Sequence, residues 1–269
     1  MLIFAQPPRR GVVLVPQVSH AWLAWQIAEH WGNRQFLRPA PRAETLAAIL
    51  LHDTGWTAYD GDPALDDDGR ILAFDSMPLD VHLGIWETSV TQSAQVVRYA
   101  GLVVAAHHRL LAARKGAALP PGESGSRRRI SGFIGAMEQL EAEWIDALRG
   151  DPRAGRFIDG IGRRANQAIL SACDRISVHL CAAIQGPFTV QAVTASGIGM
   201  PIRVEPAGRW RWRLNPWPLE GRRLTVHCEG RAVDTPVFPD RAALRAALAE
   251  APRVRLSFTL ARSSERFDG

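Results

Sequence analysis

LLHDTGW, residues 50–56, sets a histidine and an aspartate side by side where an apolar helical run stops at Thr54-Gly55. Neighbouring side chains on a helix point roughly 100° apart, so His52 and Asp53 can reach one point only because the helix ends there. Upstream, a face of helical spacing carries His20 with Leu23, Ala24, Ile27 and Trp31. Downstream, His107 shares a face with Ala100, Val103, Val104, Leu110 and Leu111, and Asp174 shares one with Leu170, Val178 and Cys181. A lone histidine on such a stripe is ordinarily satisfied by a backbone carbonyl, and His-Asp is a common dipeptide. A carboxylate there is different, because a buried charge is tolerated only when neutralised, hydrogen-bonded or metal-bound. Three apolar faces that each aim an imidazole or carboxylate inward, together with His52-Asp53 and His82, point to a metal site of mixed nitrogen and oxygen donors.

The elements around these residues read as follows. Residues 2–5 and 11–16 (GVVLVP) form two short strands around a Pro-Arg-Gly turn. Ser19 caps a helix that runs to Trp31 and is stopped by Gly32-Asn33. A second helix covers 43–53, and the DGDPALDDDGR region makes 54–78 a long loop, a length that in a compact domain is usually functional. Helical character spans 80–115 with a break near Gly101, then resumes near 132–148 and 162–185 after the PPGESGSRRR loop. Beyond Gly186 come strand candidates FTVQAV, PIRVEP, RWRWRL and RLTVHCE, a helix at 240–250 and a last strand RVRLSFTL. The expected fold is therefore a mainly α helical core over residues 1–189, with a smaller α+β annex over 190–269. The N-terminal strands have no partners nearby and are expected to pair with the C-terminal sheet.

Bulk properties narrow the classes. The formal charge is +5, and residues 191–269 hold 13 Arg against 8 acidic residues, so the first 190 residues are neutral. With no basic field over the helical part, a nucleic-acid partner is not expected. Lys115 is the only lysine among the 32 basic residues. No apolar run approaches the roughly 20 residues that span a bilayer, and no signal peptide is evident, so a cytoplasmic chain without membrane contact is expected. Cys173, Cys181 and Cys228 form no ligand pattern and read as reduced, buried thiols.

The order His20, His52-Asp53, His82, His107-His108, Asp174 resembles the HD superfamily of metal-dependent phosphohydrolases, including its HD-GYP and other dinuclear branches. The intervals of 30 residues from His52 to His82 and 25 from His82 to His107 are similar to theirs. The resemblance covers about residues 18–185, and the whole chain also looks like a bacterial family of uncharacterised proteins. It implies an HD-type helical core in which His20, His52, Asp53 and Asp174 bind a first metal, and Asp53 bridges to a second held by His82 and His107. His108 would complete that shell or face the substrate as a catalytic group, beside Asp53. One or two divalent ions are implied, with Fe, Mn, Mg, Zn and Ni not distinguished. There are departures: Gly55-Trp56 stands where the family has glycine-lysine, the GYP tripeptide is absent, and Arg109 follows the histidine pair in place of glutamate.

The implied function is hydrolysis of a small phosphate ester or nucleotide by a metal-activated water. Trp56 would stack on a ring of the substrate and Arg109 would hold its phosphate, although an aromatic near a loop is more often a core anchor. Arg114 could hold phosphate in the same way, and both arginines otherwise read as solvated helix-face residues. The expected partner is a small phosphorylated molecule, with a homodimer left open. Two other functions stay open: an HD-type diiron oxygenase, which the missing phosphate lysine suits, and a non-catalytic metal-stabilised ligand-binding module. Metal identity and turnover separate them.

Overall fold

Helix formation starts at Pro16, whose φ of −59° already suits a helix entry, and not at Ser19. The computed structural model describes residues 1–5 and 11–265. In it β1 (Leu2–Ala5) and β2 (Val12–Val15) lead into α1 (Gln17–Glu29). The Pro-Arg-Gly turn expected between the strands falls on residues outside those described. Ser19 does not cap: its hydroxyl donates to the Glu229 carbonyl at 2.7 Å and accepts from the Glu229 amide at 3.0 Å, tying α1 to a distant strand.

Next come α2 (Arg42–Leu51), a 3-10 turn (Thr54–Trp56), α3 (Thr57–Gly61) and a second 3-10 turn (Phe74–Ser76). They are followed by α4 (Leu79–Val96), α5 (Arg98–Ala117), α6 (Ser124–Leu148) and α7 (Gly160–Cys181). The interruption of the 80–115 run lies at Val97, which is extended, and not at Gly101. Gly101 serves packing: a Cβ there would lie 2.5 Å from Ala94 Cβ, so its absence lets α5 fold back closely on α4.

The chain then forms β3 (Phe188–Val193), β4 (Gly199–Pro206), β5 (Arg211–Asn215), β6 (Arg223–Val233), α8 (Arg241–Glu250) and β7 (Arg253–Arg262). Together with the N-terminal pair these build a seven-stranded mixed sheet of order β1-β2-β6-β7-β5-β4-β3. All pairs are antiparallel except β5–β7. The N-terminal strands join at β6, with Val12 opposite Val233 and Leu14 opposite Arg231. Alternation then sends successive side chains to opposite faces. Val12 and Leu14 meet Leu244 of α8 in a small separate core, while Val15 joins the main one.

The mainly α expectation, an HD-type helical core with a small annex, is overturned: the fold is α+β. One continuous core runs from Leu23 and Ile27 of α1 and Ile176 and Leu180 of α7 into Val204, Leu214, Val226, Leu256 and Phe258 of the sheet. The reason is that α7 buries one wide apolar face, which carries Ile169, Leu170, Ala172, Cys173, Ile176, Leu180 and Cys181. Its Leu170 and Ile176 are buried among helices and sheet alike, and Cys181 Sγ lies 3.4 Å from Cys228 Sγ of β6. A helical bundle alone leaves part of that face bare. Among the described residues, no helix is long and apolar enough to cross a membrane.

Candidate metal centre

The end of α2 is what makes His52-Asp53 usable. His52 keeps helical dihedrals as the terminal residue, and Asp53 leaves them (φ −117°, ψ 23°) before the 3-10 turn begins. His52 Nδ1 donates to the Ile49 carbonyl at 2.7 Å, which turns Nε2 toward the interior. Gly55 follows because the backbone passes so near α4 that a Cβ would lie 2.2 Å from the Ile85 carbonyl oxygen. Its amide donates to Ser89 Oγ at 3.0 Å, fixing the turn in place.

Four elements deliver five side chains to one place. His20 Nε2 of α1 lies 2.8 Å from Asp53 Oδ2, and His52 Nε2 lies 3.7 Å from the same oxygen. Asp174 of α7 receives His52 Nε2 at 3.5 Å on Oδ1 and His107 Nε2 of α5 at 3.4 Å on Oδ2. Donor atoms of His20, His52 and Asp174 lie within 4.8 Å of one another. His52 Nε2 and His107 Nε2 are buried with no hydrogen-bond partner. The rings are held from behind: His107 Nδ1 meets Ser171 Oγ at 3.1 Å and His20 Nδ1 meets Ser177 Oγ at 2.8 Å. Ser177 spends its own proton on the Asp174 carbonyl, so it accepts from His20 Nδ1–H. With Nδ1 donating, His20 Nε2 can face the Asp53 oxygen at this distance only with a proton or a cation between them.

Electrostatics state the same demand. Burial by itself would push the Asp53 and Asp174 carboxyls up, yet His52 and His20 beside the first, and His107 and His52 beside the second, hold both below the usual carboxylate range. Burial disfavours charge on His52, but Asp53 and Asp174 outweigh it and push this ring up to about 9. Burial keeps His107 down. The buried Asp53 and the largely buried Asp174 thus recruit a positive charge, which a proton or a bound cation can supply.

The remaining predicted residues separate. His82 stands on the wall of the adjoining cavity between Trp56 and Trp86, ring centroids 5.3 and 4.3 Å away, with Nδ1 buried and unpartnered. Burial and Lys115 push it down to about 4. Trp56 is buried and contributes to the cavity wall. His108 points elsewhere: wholly buried, it donates from Nε2 to the His52 carbonyl at 2.8 Å and stacks on Trp86 at 5.4 Å. Burial and His107 push its pKa down to about 3. It sits behind the cluster and supports its backbone. Arg109 is likewise committed, with Nε 2.6 Å from Glu141 Oε1, and Glu141 also pairs with Arg163. The pairing ties α5, α6 and α7 together away from the cavity.

The cluster opens on a cavity of about 380 Å³. Besides His52, Asp53, His82, His107 and Asp174, its wall includes Phe74 from the 54–78 loop and the cations Arg114, Lys115 and Arg175. Of the two arginines considered for phosphate, Arg114 stands on the cavity wall and Arg109 does not. Two signals pointed to the other two cations: Lys115 is the only lysine of the chain, and Arg175 directly follows Asp174.

Fold and site define an α+β protein built around a buried imidazole–carboxylate cluster beneath a cation-rimmed cavity. The chain belongs to the DUF3891 family, described as a protein of unknown function, whose model matches residues 2–235. That stretch runs from β1 through β6 and contains the whole cluster. No curated protein and no solved structure matches the chain.

Proposed function

We propose that this chain is a metal-dependent hydrolase of a small phosphate ester or nucleotide. The observation that carries the reading is the pair of buried, unpartnered ring nitrogens, His52 Nε2 and His107 Nε2, facing Asp174 at the floor of a cavity rimmed by Arg114, Lys115 and Arg175. The donor set fits a divalent ion, since imidazole and carboxylate oxygen suit Zn, Mn, Fe and Ni alike. His20, His52, Asp53, His107 and Asp174 would hold it, and His82 is placed to serve a second. The order of these residues, which resembles that of the HD superfamily, supports the same reading.

A bound ion supplies Lewis-acid polarisation of a phosphoryl oxygen and lowers the pKa of a water nucleophile. The chain's own residues do the rest. The Ile49 carbonyl accepts from His52 Nδ1 and so leaves its Nε2 free, and Ser171 Oγ orients the His107 ring from behind, as partners behind metal ligands do. Arg114, Lys115 and Arg175 bind and orient the phosphate by charge. Trp56, Phe74 and Trp86 give an apolar wall for the organic part of the substrate and displace water from it. A cytoplasmic location belongs to the same proposal, supported by three buried free thiols.

Elemental analysis of protein purified without added metal, beside a phosphatase and phosphodiesterase screen, tests the reading. A stoichiometric divalent ion with phosphate release is expected. A protein lacking both would sink it, and iron with oxygen consumption but no phosphate release would carry the diiron oxygenase reading instead.

A further inference from the structure

A second cavity, of about 320 Å³, adjoins the first. The two share Arg114, Ser171 and Arg175 in their walls. Beyond that wall the second chamber adds Arg164 and Gln167 from α7, and Thr189 and Gln191 from β3. On α7 the residues 164, 168, 171 and 175 recur at helical spacing, so Arg164, Ala168, Ser171 and Arg175 form one stripe. The stripe starts in the second chamber and ends beside the metal-ligand candidate Asp174. Thr189 and Gln191 lie on the solvent-facing side of β3, alternating with buried Phe188 and Val190, and offer a hydroxyl and an amide.

The pairing of the cations separates this stripe from its surroundings. On the same two helices Arg109 and Arg163 are taken by Glu141. Among the described residues, no acidic side chain pairs with Arg114, Lys115, Arg164 or Arg175; Arg175 only lies over the Phe188 ring at 5.5 Å. Among the described residues the wall of the second cavity holds no acidic side chain, whereas Asp53, Asp75 and Asp174 stand in the first, so Arg114, Arg164 and Arg175 repel one another there and an anion relieves that repulsion. Three arginines present planar donor forks, the geometry that matches phosphate oxygens in pairs.

Resting on the reading of the metal centre as a phosphate site, we propose that the ligand carries two separated anionic groups. One is held over His52, Asp53 and Asp174, and the other, a second phosphate, is held in the adjoining chamber by Arg164 with Arg114 and Arg175 on the shared wall. Asp174 and Arg164 are ten residues apart on α7, about 15 Å at 1.5 Å per residue. The reach of the arginine side chain shortens that span but does not close it, so the proposed ligand joins its two groups by a linker longer than the single bridging oxygen of a pyrophosphate. Arg114, Ser171 and Arg175 line the passage between them.

The test is calorimetric titration of the full chain, metal content measured in parallel, with alkane-α,ω-bisphosphates from ethane to dodecane and with the matching alkyl monophosphates. Bisphosphates of intermediate length should bind about tenfold or more tightly than the monophosphates of equal length, with no such advantage for the shortest. Arg164→Gln should remove the advantage and Arg164→Lys keep part of it. A chain with no preference at any length, or a preference intact in Arg164→Gln, overturns the second chamber. A chain without metal overturns the catalytic reading alone. In that case binding of inorganic phosphate that depends on Arg164 still supports the chamber, and its absence sinks it too.

Discussion

Asp53 is the residue on which two imidazoles meet, His20 at 2.8 Å and His52 at 3.7 Å. Asp53→Ala removes that charge and leaves His20 Nε2 facing nothing, so metal content of the purified variant should fall to a small fraction of the parent's even where circular dichroism shows the fold intact. Unchanged occupancy would make His-Asp an incidental dipeptide. His108→Ala acts by another route. It orphans the His52 carbonyl and opens a void beside Trp86, which should destabilise the protein by about 2–4 kcal/mol. Melting temperature and metal affinity should fall together, and His108→Gln, which can still donate to that carbonyl, should recover part of both.

The same residues set the pH response of the metal-free protein. His52 has its folded value raised from 6.5 to about 9, so the stability it adds is complete below pH 6.5 and is lost as pH rises to about 9. His82 and His108, lowered to about 4 and about 3, act in the other window: the stability they add is present above pH 6.5 and lost as pH falls through those values. Metal-free protein should therefore melt at lower temperature at pH 9 than at pH 6.5. Metal-loaded protein should not, because the ion has displaced the His52 proton. Parallel pH dependence of the two forms would show that no ion binds at His52.

Among the elements, the turn after α2 and the crossing of α4 on it are the ones that aim the cluster. Gly55→Ala places a Cβ against the Ile85 carbonyl and Ser89, both backbone or short side chain with little room to yield. The turn must shift, at about 1–3 kcal/mol, and Asp53 shifts with it. Thermal stability and metal content should both decline; a variant with unchanged metal content would show that the turn does not position Asp53. The glycine was legible as a helix stop, but the close approach behind it depends on α4, some thirty residues away in the chain. Gly101 teaches the same lesson in reverse: read as a break, it is a contact point, because helix packing and not local propensity set the need for it.

At the scale of the molecule, β1 and β2 cover β6 and lend Leu2, Phe4 and Val15 to the main core. Deleting residues 1–16 strips those side chains and bares a long edge strand, so the truncated chain should aggregate where the parent stays monodisperse in size-exclusion chromatography. An equally stable, dispersed deletion would show that the N-terminal strands are dispensable.

By itself the sequence determined which residues belong to a buried polar cluster, because burial on an apolar face is written in helical spacing, and His20, His107 and Asp174 lie on such faces. It also determined that the N-terminal strands needed a partner, since unpaired strand groups must be satisfied. Tertiary structure decided what spacing cannot encode. It turned Arg109 onto Glu141, because the direction of a half-exposed cation is set by the nearest counter-charge, contributed here by another helix, and the packing of α5 against α7 left Arg114, Lys115 and Arg175 on the cavity wall. It placed His108 behind His52 and not before the substrate. It joined helices and strands into one α+β core, because the wide apolar face of α7 is covered by helices and by strands from both ends of the chain together.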